Sequence, residues 1–149
     1  MKYVNKKYVL IVDDEPDIQE ILGTYLERIE DVSVVESLSG EEALATYQRL
    51  ADAGTPPAMV VMDLNLSGCN SDEGIIDAHR SGESKNMDGV RTAEAILAVD
   101  EDAVVWGYTA WADTTWGDRL REVGADRVVD RIVSFKEFAA MVSSRLTDI

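Results

Sequence analysis

At 149 residues with a hydrophobic fraction of 46%, the chain has the size and composition of one globular domain with a real core. No apolar run approaches the roughly 20 residues that span a bilayer, and a single cysteine, Cys69, excludes an internal disulfide. With 29 acids against 14 bases and a net charge of −15, the surface repels phosphate backbones, and no basic run argues for direct nucleic acid binding.

The elements follow in a regular order. The N-terminal lysines lead into an apolar stretch that meets acids at once, so no signal peptide is expected and the protein is placed in the cytoplasm. Tyr8 to Val12 reads as a short buried strand. Pro16 suits a first helical position, and Ile18, Ile21, Leu22, Tyr25, Leu26 and Ile29 follow at helical spacing. Val32 to Ser37 forms a second strand, and Ser39 caps a helix with Ala43, Leu44, Tyr47, Leu50 and Ala51 on one face. Ala58 to Met62 is a third strand ending at Asp63, followed by a polar segment from Leu64 to about Asp88. Gly89 to Val99 is a helix with Val90, Ala93 and Leu97 inward, and Ala103 to Tyr108 a fourth strand ending at Thr109. Asp113 caps a short helix to Val123, which Gly124 stops. Arg127 to Asp130 is the fifth strand, and Ser134 caps a last helix with Phe135, Phe138, Ala139, Val142 and Leu146 inward. Five strands alternating with five helices, the strands apolar on both faces, predict an α/β fold with a doubly wound parallel sheet.

In such a sheet the ligand site lies at the carboxyl ends of the strands. Strand one ends in Asp13-Asp14, strand three in Asp63, strand four in Thr109, and strand five in Arg131. Three carboxylates crowded together repel unless a cation sits between them. With a hydroxyl and an arginine beside them, they suit a hard divalent metal and an anion.

The pieces VLIVDDEPD, VVMDLNLSG, the later MDG, YTA at 108 to 110 and GADRVV ahead of Arg131 resemble the receiver domain of two-component response regulators, in order and over nearly the whole chain. That resemblance implies the flavodoxin-like strand order 2-1-3-4-5 and a single receiver domain over 1–149. It implies that Asp63 accepts a phosphoryl group from a phosphohistidine on a histidine kinase or phosphotransfer protein. Mg2+ would be held by Asp14 and Asp63, by Asp13 directly or through water, and by the backbone carbonyl of Asn65. Thr109 would donate its hydroxyl to a phosphoryl oxygen, Ala110 would leave room for the group, and Arg131 would supply the cation.

Three features depart from the family pattern. Arg131 stands where receivers usually carry lysine, and a planar fork is not a point charge. Asp130 beside it competes for that charge. Ile132 replaces the proline that usually follows, so a trans peptide is expected. Val128 replaces the usual switching aromatic, for which Tyr108 and Trp111 are the available substitutes, although a core or surface role fits each better. Residues 69–86, CNSDEGIIDAHRSGESKN, form an insertion after the acceptor that holds the only Cys and the only His, with Ile75-Ile76 as its only large aliphatics.

The reading is a stand-alone receiver that turns over no external metabolite and signals through a downstream effector protein docking on the face of strands four and five. A phosphorylation-dependent dimer is left open. The alternative is a pseudo-receiver, a phosphorylation-independent protein-binding module. A magnesium-dependent hydrolase of the haloacid-dehalogenase type would want Asp-x-Asp after strand one, and the run Asp13-Asp14-Glu15-Pro16-Asp17 does not put the nucleophile in that register. Taken singly, an Asp at a strand end such as Asp63 is more often a turn former or helix cap than a nucleophile, and Asp13 or Asp14 more readily caps the helix starting at Pro16. Only five of the 14 bases are lysines, and the acidity also suits a high-salt cytoplasm.

Overall fold

Val9, Leu10, Ile11 and Val12 are all buried, which puts β1 (Lys7–Val12) in the middle of a sheet covered on both faces. The computed structural model describes residues 7–63, 89–110 and 112–147. Among them β1 is followed by α1 (Pro16–Glu27), β2 (Val32–Ser37), α2 (Gly40–Asp52), β3 (Met59–Met62), α3 (Gly89–Val99), β4 (Val105–Thr109), α4 (Thr115–Glu122), β5 (Arg127–Asp130) and α5 (Phe135–Thr147). The strands pair in parallel in the expected order β2-β1-β3-β4-β5. Val12 lies beside Ser37 and Met62, Met62 beside Gly107, and Thr109 beside Asp130. All five carboxyl ends therefore open on one edge.

Side chains alternate between two core layers. Val9, Ile11, Val61, Trp106 and Tyr108 pack with Leu22 and Leu26 of α1 and Phe138 and Val142 of α5. Leu10, Val12, Val60, Met62 and Val105 pack with α2, α3 and α4. Ser39 and Ser134 are the caps the sequence suggests: each hydroxyl accepts a backbone N–H three residues on, from Glu42 at 3.1 Å and Glu137 at 3.2 Å.

Four local expectations need correction. The buried phase of α1 is Gln19, Leu22, Gly23 and Leu26, and Ile21 is exposed, because the helix turns its 19–22–26 row onto β1 and β2. In α3 Ala93 is buried as expected, but the large buried side chain is Ile96, and Val90 and Leu97 lie at the margin of the core. The N-cap of α4 is Thr114 instead of Asp113; starting there aims Trp116 and Leu120, four residues apart, into the core. Strand four begins at Val105, since Ala103 donates its N–H to Asp100 in a turn.

Gly107 lets α4 approach the sheet. A Cβ there would lie 2.6 Å from Leu120 Cδ2 and 3.2 Å from Val128 Cγ1. Gly107→Ala is expected to destabilise the fold by about 1–3 kcal/mol through overpacking, measured as a lower urea midpoint at unchanged slope.

Tyr47, on α2, donates its hydroxyl to Asp100 Oδ2 at 2.8 Å. Burial first, then the Asp100 carboxylate, pushes the phenol well above its ordinary value. A folded-state pKa above the unfolded one contributes stability that is complete below pH about 10 and is lost as pH rises further. Alkaline unfolding is therefore expected to begin as that window is entered, and Tyr47→Phe to flatten the pH dependence measured by denaturant titration.

Candidate functional site

The site is assembled by the strand ends. β1 is clasped between its neighbours beyond its last residue: Asp13 N–H donates to Ser37 O at 3.1 Å, and Asp63 N–H to Val12 O at 3.0 Å. This brings Asp13 and Asp14 alongside Asp63 although 50 residues separate Asp13 from Asp63 in the chain. One carboxylate oxygen from each of the three lies within 4.8 Å of the others. At an effective dielectric constant of about 20, charges at that separation repel by roughly 3 kcal/mol per pair. The donor set is all oxygen, which fits a hard cation such as Mg2+.

Asp13 is the buried member, only 1% exposed, and both its oxygens are engaged. Oδ1 accepts the Glu15 N–H at 2.9 Å, a local turn at the entry to α1. Oδ2 accepts from Arg131 Nη2 at 2.7 Å. The same guanidinium donates from Nε to the Tyr108 carbonyl at 2.9 Å and lies 4.6 Å over the Tyr108 ring. A lysine has neither a second donor nitrogen in a fixed fork nor the flat face, so this three-point seat is specific to arginine. Asp130 does not take the Arg131 charge as expected; its Oδ1 accepts the Ile132 N–H at 2.9 Å, and Arg131 turns inward to Asp13.

Tyr108 is a core residue. Its ring stacks on Phe138 at 3.9 Å and 5°, meets Phe135 edge-on, and its hydroxyl donates to the Val133 carbonyl. Burial raises its pKa, and the nearby Arg131 pulls in the opposite direction. Thr109 is fully buried at the end of β4, and its carbonyl accepts the Arg131 N–H at 3.1 Å. Continuing the register of Met62 with Gly107 sets Asp63 beside Tyr108 and Thr109 one residue further on. Val128 is partly buried against the α4 layer, and the Arg131–Ile132 peptide is trans, as expected. Asn65, Trp111 and the insertion 69–86 with Cys69, Ile75, Ile76 and His79 lie outside the described residues.

Gln19 was not legible as a site residue. It is 1% exposed, and its side-chain nitrogen contacts the carbonyls of Ile11, Asp13 and Ser37. The available signal was a polar residue three and seven positions before Leu22 and Leu26 on the same helical row, once the phase of that row is known.

Known proteins share this fold. Residues 9–75 match the response regulator receiver domain. The probable transcriptional regulator ycf27 of Cyanophora paradoxa is 32% identical over 145 residues, covering 96% of this chain and 49% of that protein, so the chain spans about half the length of the curated relatives it matches. A CheY-like receiver domain protein from Methanospirillum hungatei JF-1 superposes with a TM-score of 0.72 at 19% identity, over 96% of this chain and 95% of that one. A chain of a CheX-CheY-BeF3-Mg+2 complex from Borrelia burgdorferi gives a TM-score of 0.70 at 20% identity, over 94% of this chain and 89% of that one. No helix among the described residues is long and apolar enough to cross a membrane.

Proposed function

We propose that this chain, whose residues 9–75 match the response regulator receiver domain, is a receiver in which Asp63 accepts a phosphoryl group from a phosphohistidine on a histidine kinase or phosphotransfer protein, and that the phosphorylated state is read by a downstream effector protein. The observation that carries this reading is the convergence of Asp13, Asp14 and Asp63 at one sheet edge with Arg131 reaching into the same group. A carboxylate oxygen of Asp63 forms the new bond to phosphorus as the phosphorus–nitrogen bond breaks and the imidazole leaves with the electron pair. Phosphoryl transfer of this kind asks the protein chiefly for alignment and charge neutralisation.

Asp14, Asp63 and the Asn65 carbonyl, with Asp13, would hold Mg2+. When bound, that ion neutralises charge on the acids and on the transferred group. Asp13 seats Arg131 in the resting protein. Arg131 is the cation that meets the incoming anion, and Thr109 donates its hydroxyl to a phosphoryl oxygen. The product adds about −1.5 to −2 charge at Asp63, enough to draw Arg131 away from Asp13, and that rearrangement is the switch. Arg131 rests on Tyr108, which stacks on Phe138 of α5, and these contacts support an effector face on β4, β5 and their helices. The BeF3 and Mg2+ named in the Borrelia burgdorferi complex support a cation and a phosphoryl-like group for this fold.

The test is intact mass after incubation with acetyl phosphate and Mg2+. Gain of one phosphoryl group, abolished by EDTA, is expected. No gain with acetyl phosphate and none with a cognate kinase would overturn the reading in favour of a phosphorylation-independent binding module.

A further inference from the structure

The structure assigns a role to Gln19 that the receiver pattern does not: we infer that it is a positioning residue, whose side-chain amide holds the Asp13–Asp14 peptide so that both carboxylates point toward Asp63. This rests on the reading of Asp13, Asp14 and Asp63 as a cation site.

Gln19 projects from the first turn of α1 beneath the ends of β1 and β2. Its Nε2 lies 2.6 Å from Ser37 O, 3.1 Å from Asp13 O and 3.2 Å from Ile11 O. Two amide hydrogens thus serve three carbonyls, and Ser37 O also accepts the Asp13 N–H. The Asp13 carbonyl belongs to the peptide that joins the two acids. Rotating that peptide would swing both side chains, so a donor fixed on it sets their common direction. The backbone ladder holds β1 as far as the Asp13 N–H, which donates to Ser37 O, and Gln19 Nε2 adds the donor on the Asp13 carbonyl that follows.

The rest of the amide argues that the contact is kept for the site and not for packing. Among the described residues, Gln19 Oε1 has no hydrogen-bond partner, and neither has the buried Ser37 Oγ. A buried acceptor without a donor opposes folding, and methionine would fill the same volume without that penalty. The nitrogen is what the position needs. It acts on the acids much as an outer-shell partner orients a metal ligand, and loss of such partners typically weakens metal affinity by about 10–100-fold.

The experiment is Mg2+ titration of the full chain by calorimetry, with urea unfolding in parallel. Gln19→Met is expected to weaken Mg2+ binding by about 10-fold or more. Ser37→Ala keeps the carbonyl and is expected to bind as the unsubstituted protein does. A folded Gln19→Met protein with unchanged affinity overturns the assignment, even if it is less stable. If the unsubstituted protein itself binds no Mg2+, the cation-site reading fails and takes this inference with it. Should Gln19→Met not fold, the side-chain amide resonances of Gln19 in the unsubstituted protein decide the matter. They are expected to shift along the Mg2+ titration with its midpoint, and resonances that stay fixed while Mg2+ binds refute the role.

Discussion

Asp63→Asn is expected to abolish phosphoryl uptake from acetyl phosphate while leaving the fold intact. An amide cannot attack phosphorus as an ionised carboxylate does. The substitution keeps the shape of the side chain, and it removes one of three charges held within 4.8 Å of one another. Two of the three like-charge pairs disappear with it, each worth on the order of 3 kcal/mol before solvent screening. The variant should therefore unfold at an equal or higher urea concentration. Intact mass spectrometry with and without Mg2+, read beside the denaturation curve, checks both halves. Retained uptake on a neighbouring acid would remove Asp63 from its role.

Arg131→Met is expected to lower stability by about 2–4 kcal/mol and to reduce phosphoryl uptake sharply. The stability effect follows from Asp13, whose side chain is 2% exposed and loses its 2.7 Å partner. Breaking such a pair from one side leaves a buried charge without its counter-ion, which is worse than never having had the pair. The seat on Tyr108 is lost as well, both the Nε bond to its carbonyl and the face of its ring. Arg131→Lys restores the charge but not the second donor nitrogen of the planar fork, so an intermediate stability is expected. Mg2+ should shrink the deficit of Arg131→Met, because an ion that binds the folded acids stabilises them and replaces the missing charge. Urea unfolding of the three proteins at zero and saturating Mg2+ measures this. A deficit that Mg2+ leaves untouched would separate Arg131 from the cation site.

Under the proposed function, the route from the site to an effector departs from the family pattern. Val128 cannot swing as a large aromatic would, and Tyr108 is tied into the core by Phe138 and by the Val133 carbonyl. A change at Arg131 is therefore felt first by a stacked pair that bridges β4 and α5.

Much of this was written locally in the chain. Short apolar runs closed by Asp13, Asp63, Thr109 and Arg131 announce buried parallel strands and what stands at their ends, because strand period and burial are properties of neighbouring residues. Parallel pairing then gathers those ends on one edge, so the acids and Arg131 could be assigned to one site without coordinates. The caps at Ser39 and Ser134 were legible for the same reason, since each needs only a donor three residues away.

The tertiary structure decided what depends on partners distant in sequence. Whether Arg131 takes adjacent Asp130 or Asp13, 118 residues away, is a competition between geometries that only the folded sheet defines. The rotation of α1 about its axis, which buries Gln19 and exposes Ile21, is set by how the helix rests on β1 and β2, and one residue of phase separates the two outcomes. Gly107 reads as a weak point in a strand until Leu120 and Val128 are seen closing over it. The pattern of apolar residues fixes which segments meet; the exact meeting of side chains follows from close packing, in which a shift of an ångström changes the neighbour.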